Sequence, residues 1–203
     1  GLGSAWEFVG ISDAVTAANG NITLTEPAGV EQDDLLVACI AARDDEVFAL
    51  PVGWTAIEQV NSAVTSCSTP QSSCVMAYCV RGASAPSFAF TRTGGDVALG
   101  RVVAFRGNLV SSPLDVSEGE LVLGQLDTIP ALTTTGGDEL IVFMAAVSPY
   151  LFFGVQQPVA YQSTDPFLDE WVERGWASTT TGQDVGLNIV SGVKRTAGST
   201  GAL

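Results

Sequence analysis

Helical periodicity is almost absent from this chain, and that constrains its fold more than any single motif does. Apolar residues recur in short runs, alternating or continuous, rich in Val, Ile, Phe and Thr and separated by Gly, Pro, Asn and Asp. Such punctuation marks strands joined by turns. It predicts strands near 6–11, 21–25, 34–42, 54–60, 75–82, 86–91, 99–106, 119–124, 131–135, 139–147, 176–181 and 186–194. Their number and spacing predict an all-β chain folded as an antiparallel, jelly-roll-like β-sandwich. At 203 residues the chain is long enough to bury a core without disulfides or metal, and we read 1–203 as one domain.

The runs differ in kind. "SFAF" alternates, as a strand with one wet face should, whereas "LLVACIAA", "RVVAF" and "ELIVFMAA" are continuous. Continuous runs are expected of central strands covered on both sides, or of strands at an interface. An internal echo is visible between "DLLVACIAA" from Asp34 and "DELIVFMAA" from Asp138, each behind a Gly-containing lead-in. Duplication into equivalent strands and convergence of two buried strands both account for it.

The stretch 148–178 breaks the rhythm and reads as one long aromatic-rich loop. Long loops of this kind are functional or serve as covers. Within it "DPFLDEWVERG" predicts one or two helical turns, with Asp165 as cap, Pro166 in the first helical position and Gly175 at the end.

The net charge of −14 rests on only eight basic residues, of which Lys194 is the one lysine. A nucleic-acid partner needs a basic stripe, and an anionic membrane surface would repel this chain, so neither is expected. No run of about 18 apolar residues offers a membrane span. The start, "GLGSAWEFVG", lacks the basic and apolar regions of a secretion signal, and Gly1 suits removal of an initiator methionine.

Four cysteines, Cys39, Cys67, Cys74 and Cys79, show no CxxC spacing, and there is no histidine, so no metal site is expected. Cys67 and Cys74 flank the polar tip "STPQSS" and suit a disulfide closing a hairpin, which would imply an oxidising environment. Cys39 and Cys79 lie in apolar runs and are expected as buried thiols or a cross-strand pair.

"LPVGWTAI" places a tryptophan directly behind a Pro-x-Gly turn. Leu50-Pro51-Val52-Gly53 suits a type I turn with Pro second and Gly fourth. Trp54 then enters a strand, where it can seal the end of a sandwich core while its N–H reaches a loop carbonyl. A platform for a sugar ring is the alternative.

The succession "EFVGI", "EPAGVEQDDLLVACIAA", "LPVGWTAI", "YCVRGASAPSFAFT", "RVVAFRGN", "TTTGGDELIVFMAA" and "RTAGSTGA" resembles a β-sandwich type common among tailed-phage virion proteins, over nearly the whole chain from Glu7 to Ala202. Proteins of that type serve as capsid decorations, head or tail fibres and tail-associated modules, and related sandwiches bind glycans. The resemblance implies a non-enzymatic structural or adhesive part of a virion. Its leading form is a decoration or cement protein on the capsid exterior, bound to the major capsid protein or other virion proteins and working as a homo-oligomer, with three-fold symmetry expected. The alternative is an adhesion module of a head fibre or tail that binds a host surface glycan.

The residues themselves offer little catalysis. Without histidine the commonest general base is missing, and the glycine pairs at 94–95 and 136–137 lack a phosphate loop's spacing. Asp33/Asp34, Asp44/Asp45 and Asp169/Glu170 are expected as turn and cap residues rather than glycosidase pairs. "ARDDE" at 42–46 lacks a calcium-loop pattern. No cofactor is expected. Tyr150, Phe152, Phe153, Trp171 and Trp176, with Asp169 and Glu170, have the composition of a sugar cleft, but interfaces favour the same aromatics and contact between subunits is the preferred reading.

Overall fold

The computed structural model describes residues 5–44, 47–61, 72–107, 109–119, 130–147, 168–179 and 185–201. Among them the chain is all-β, with strands β1 (Trp6–Ile11), β2 (Val15–Ala17), β3 (Ile22–Thr23), β4 (Leu35–Ala42), β5 (Thr55–Asn61), β6 (Ser73–Val80), β7 (Ala89–Phe90), β8 (Ala98–Gly107), β9 (Thr133–Thr134), β10 (Glu139–Val147), β11 (Leu168–Ser178), β12 (Gly186–Lys194) and β13 (Gly198–Ser199). All pairings are antiparallel. The larger sheet runs β1-β8-β4-β6-β5, with β2 also on β8; a second sheet runs β10-β12-β11; two ribbons pair β3 with β7 and β9 with β13.

The larger sheet is buried on both faces. Leu35, Val37, Cys39, Leu99, Val103 and Phe105 point toward the second sheet and meet Val185, Leu187 and Ile189. Leu36, Ala38, Ile40, Val75, Val102 and Ala104 point the other way, under Ile22, Leu24, Phe48, Trp54 and Phe90. Two-sided burial is why "LLVACIAA" and "RVVAF" show no alternation: in β4 all eight residues are buried. "ELIVFMAA" is different, because β10 is an outer strand of the second sheet with Ala146 exposed.

Most expected strands are present with shifted ends. Leu168–Ser178 is a single long strand, where the sequence suggested a loop, a helical segment and a strand only from 176. Pairing with β12 from Leu168↔Lys194 to Ser178↔Gly186 overrides the local helix signals; Gly175 sits in a bulge rather than a helix end. The expected strand at 119–124 lies outside the described residues except Gly119. The short β2 and β13 carry too few residues to show a period.

The internal echo has a structural counterpart. In β4-β6-β5 and in β10-β12-β11 the third strand in sequence lies between the first two, and the second strand is bulged. Each unit is preceded by an aspartate with positive φ, Asp33 at 71° and Asp138 at 58°. The Asp33 N–H donates to the Arg81 carbonyl at 2.8 Å and the Asp138 N–H to that of Arg195 at 3.3 Å, and these arginines directly follow β6 and β12. The ribbons β3-β7 and β9-β13 flank the units in the same order. The ladders keep the sequence register, since Leu35 pairs with Val80 and Glu139 with Lys194, each just before its arginine, so Asp34 matches Asp138 and Leu36 matches Leu140; the left-handed aspartate stands one residue earlier in the first unit.

Candidate functional site

Trp54 is 7% exposed, its ring edge-on to Phe88 and Phe90 at 5.7 and 5.3 Å, and its Nε1–H donates to the Ser87 carbonyl at 2.7 Å. A ring so enclosed offers no face to a sugar. The turn ahead of it is displaced by one residue from the expected type I turn. The Trp54 N–H donates to the Pro51 carbonyl, which makes Pro51 the first residue and Gly53, at φ 92°, the third. That is the position at which a type II turn needs glycine.

Cys67 of the expected Cys67–Cys74 disulfide lies outside the described residues; among the described residues Cys39, Cys74 and Cys79 are free thiols. Cys74 is the second residue of β6, opposite Ala41 of β4 and Val60 of β5, one pair from the end of the β5–β6 hairpin at Asn61↔Ser73. Cys39 and Cys79 face opposite sides of the sheet, so they form no cross-strand pair. Burial pushes all three thiols up in pKa.

Of the aromatic set, Tyr150, Phe152 and Phe153 lie outside the described residues, as do Asp165 and Pro166. Trp171 and Trp176 are half-buried on β11, an outer strand of the second sheet bulged twice, between Asp169 and Val172 and between Glu173 and Gly175. Trp176 lies opposite Asn188, and Glu173 accepts a hydrogen bond from the Asn188 side-chain amide at 2.9 Å. Because Leu187 and Ile189 face the larger sheet, these groups lie on the opposite face. Val172 is 46% exposed on the same strand.

The inner side of β11 is anchored to the larger sheet by arginines. The Arg174 guanidinium lies 4.4 Å from the Phe8 ring centroid and its Nε–H donates to Ser191 Oγ at 2.8 Å. Arg101 donates from Nε to the Ser12 carbonyl at 2.9 Å and from Nη1 to the Trp176 carbonyl at 3.3 Å. Between Trp6, Phe8, Phe105, Leu140 and Arg174 a hollow of about 10 Å³ remains, room for one water and no substrate.

Two of the paired acids, Asp34 and Asp44, are absorbed by structure. Asp34 is gripped by Arg106 and accepts the Glu31 N–H at 2.8 Å. Asp44 receives Arg92 Nη1 and the Asp96 N–H at its Oδ2, while Arg92, its side chain fully buried, also donates to the Gly20 and Asp96 carbonyls and lies over Phe48. Asp45 and Glu46 lie outside the described residues, as do the side chains of Asp169 and Glu170. Among the described residues no three acidic or thiol groups are placed to hold a metal ion.

Sequence reasoning missed these arginine anchors. The available signal was scarcity: in a chain with eight basic residues, arginines embedded in apolar runs, as in "GRVVAFRG", have to be partnered.

Fold and site together define an all-β sandwich whose outward-facing feature is a bulged, tryptophan-bearing strand. Compared with known protein families, curated proteins and solved structures, the chain finds no match in any of the three.

Proposed function

We propose that the protein is a non-enzymatic structural component of a tailed-virus particle, a decoration protein that binds the outer shell of the capsid by surface contact and works as a small homo-oligomer. One observation carries the contact reading: among the described residues β11 is an outer strand that carries Trp176 on the face away from the larger sheet and Trp171 within the first of two bulges that interrupt its ladder. A bulged edge resists strand addition and offers side chains instead, and tryptophans at such a place suit the buried centre of an interface. The virion assignment itself rests on the resemblance carried by the motifs from Glu7 to Ala202.

The test is co-sedimentation of the purified chain with tailed-phage capsids stripped of decoration. Saturable binding that Trp171→Ala and Trp176→Ala each weaken by tenfold or more, with folding unchanged, supports the reading. Absence of capsid binding together with a hit on a glycan array that the same variants lose would replace it with the adhesion module.

A further inference from the structure

Asn19-Gly20, in the turn between β2 and β3, is the one Asn-Gly step in the chain. This pair carries its own chemistry. The backbone nitrogen of the residue after an asparagine can attack the side-chain amide carbon, and glycine, with no Cβ, leaves that approach unhindered. A C–N bond forms and ammonia leaves, giving a five-membered imide. Water then opens the ring at either carbonyl, to aspartate or to isoaspartate, whose backbone runs through the side chain. The attacking N–H must first lose its proton to solvent base.

In the folded chain Asn19 is exposed, so water reaches its amide. Gly20 is tied down. Its N–H donates to the Gly94 carbonyl at 3.0 Å, and its own carbonyl accepts the Arg92 Nε–H at 2.9 Å. Beyond Gly20, Asn21 Oδ1 accepts the Arg92 N–H at 3.2 Å. Arg92 is itself fixed, its side chain fully buried, paired with Asp44 and laid over Phe48. The attacking nitrogen is thus committed to the loop between β7 and β8, and an amide proton held by a carbonyl in docked backbone is lost slowly to solvent.

We propose that Asn19 is a gated deamidation site: the Gly20–Gly94 bond keeps it an amide while the loops at 18–21 and 91–97 are docked, and their release lets the step cyclise. The change runs one way. It adds a negative charge, and isoaspartate also lengthens the backbone ahead of Gly20, which moves Gly20 out of register with Gly94 and Arg92. Loop geometry alone carries this inference, independent of the virion reading.

The test holds the intact chain in mildly alkaline buffer, folded and in guanidinium, and counts aspartate and isoaspartate at position 19 by peptide mass mapping while amide exchange at Gly20 is followed. We expect conversion in guanidinium, and conversion at least about tenfold slower in the folded chain with the Gly20 amide protected. Two variants loosen the gate without touching Asn19 or Gly20. Gly94→Val strains a position at φ 76° where an added Cβ meets nothing within 4 Å, and Asn21→Ala removes the acceptor of the Arg92 N–H. Each, confirmed as folded by its urea midpoint, should speed conversion and Gly20 exchange by the same factor. Equal rates in the folded and unfolded chain, no conversion in guanidinium, wild-type conversion in both variants, or conversion that does not follow Gly20 exchange would each overturn the proposal.

Discussion

Arg106 holds Asp34 by both carboxylate oxygens, and this hydrogen bonding outweighs burial, keeping the Asp34 carboxyl below the usual carboxylate range. A carboxyl lowered in the folded state stabilises the fold above its unfolded pKa, and the contribution is lost as pH falls through the folded value. With no histidine in the chain, the urea midpoint should change little from about pH 8 to 5 and drop below about pH 4. Asp34→Asn should lower the neutral midpoint and flatten the acid limb. Parallel acid limbs for the two proteins would show that Asp34 is not the group responsible.

Glu139 acts with the opposite sign. Burial, then Asp115, raises its carboxyl, so the fold gains stability as pH falls through the raised value. Glu139→Gln should remove that gain and raise the midpoint slightly at neutral pH, read from the same titrations. A lower neutral midpoint would mean that the carboxylate has a stabilising partner.

Trp54 contributes packing and one hydrogen bond, and two substitutions separate them. Trp54→Ala should cost about 3–5 kcal/mol by opening a cavity against Phe88 and Phe90. Trp54→Phe keeps an aromatic ring but leaves the Ser87 carbonyl without its donor and should cost roughly 1–3 kcal/mol. Equilibrium urea unfolding measures both, and equal losses would mean that the hydrogen bond dominates.

Two glycines test different causes. At Gly53 an added Cβ would lie 3.9 Å from Cys79 Sγ, so the strain of Gly53→Ala comes from φ 92° alone and should cost about 1 kcal/mol. At Gly100 the Cβ would meet Leu24 Cδ2 at 2.7 Å and Ile40 Cγ1 at 3.1 Å, and overpacking should cost about 1–3 kcal/mol. Val52, 95% exposed in the same turn as Gly53, should accept Ser within about 0.5 kcal/mol. Thermal or urea unfolding ranks the three, and a Val52→Ser loss as large as that at Gly100 would contradict the turn geometry.

Cys39, Cys74 and Cys79 are free and their thiols are raised by burial. Maleimide should label them slowly in the native protein and fast in urea. Rapid native labelling of Cys39, which is wholly buried, would show that β4 opens readily.

What the sequence revealed was what local pattern can carry. Two-sided burial was legible in "LLVACIAA" because a central strand needs apolar residues at every position. The enclosed Trp54 was legible because Pro51 and Gly53 mark a turn, although the turn began one residue later than expected. The strand from Leu168 to Gly175 was illegible, since it is fixed by pairing with β12, many residues downstream. The grip of Arg106 on Asp34 spans 72 residues, beyond any spacing rule. The repeat was half legible, because an echo in letters shows that two strands are alike but not that each is preceded by a left-handed aspartate.

The shared strand order also sets a timetable. In each unit the strand that ends up in the middle, β6 or β12, is the last of its three to leave the ribosome, and β1 finds its partner β8 only when residue 107 has emerged. Until residue 80 has emerged β4, apolar on both faces, has no strand on either flank, and its β8 flank stays open until residue 107. A chain wired this way folds late and nearly all at once, at the slow end for its size. It therefore passes through synthesis with its stickiest strand uncovered, and holdase chaperones or a partner strand present at that moment would raise its yield more than any change to its finished surface.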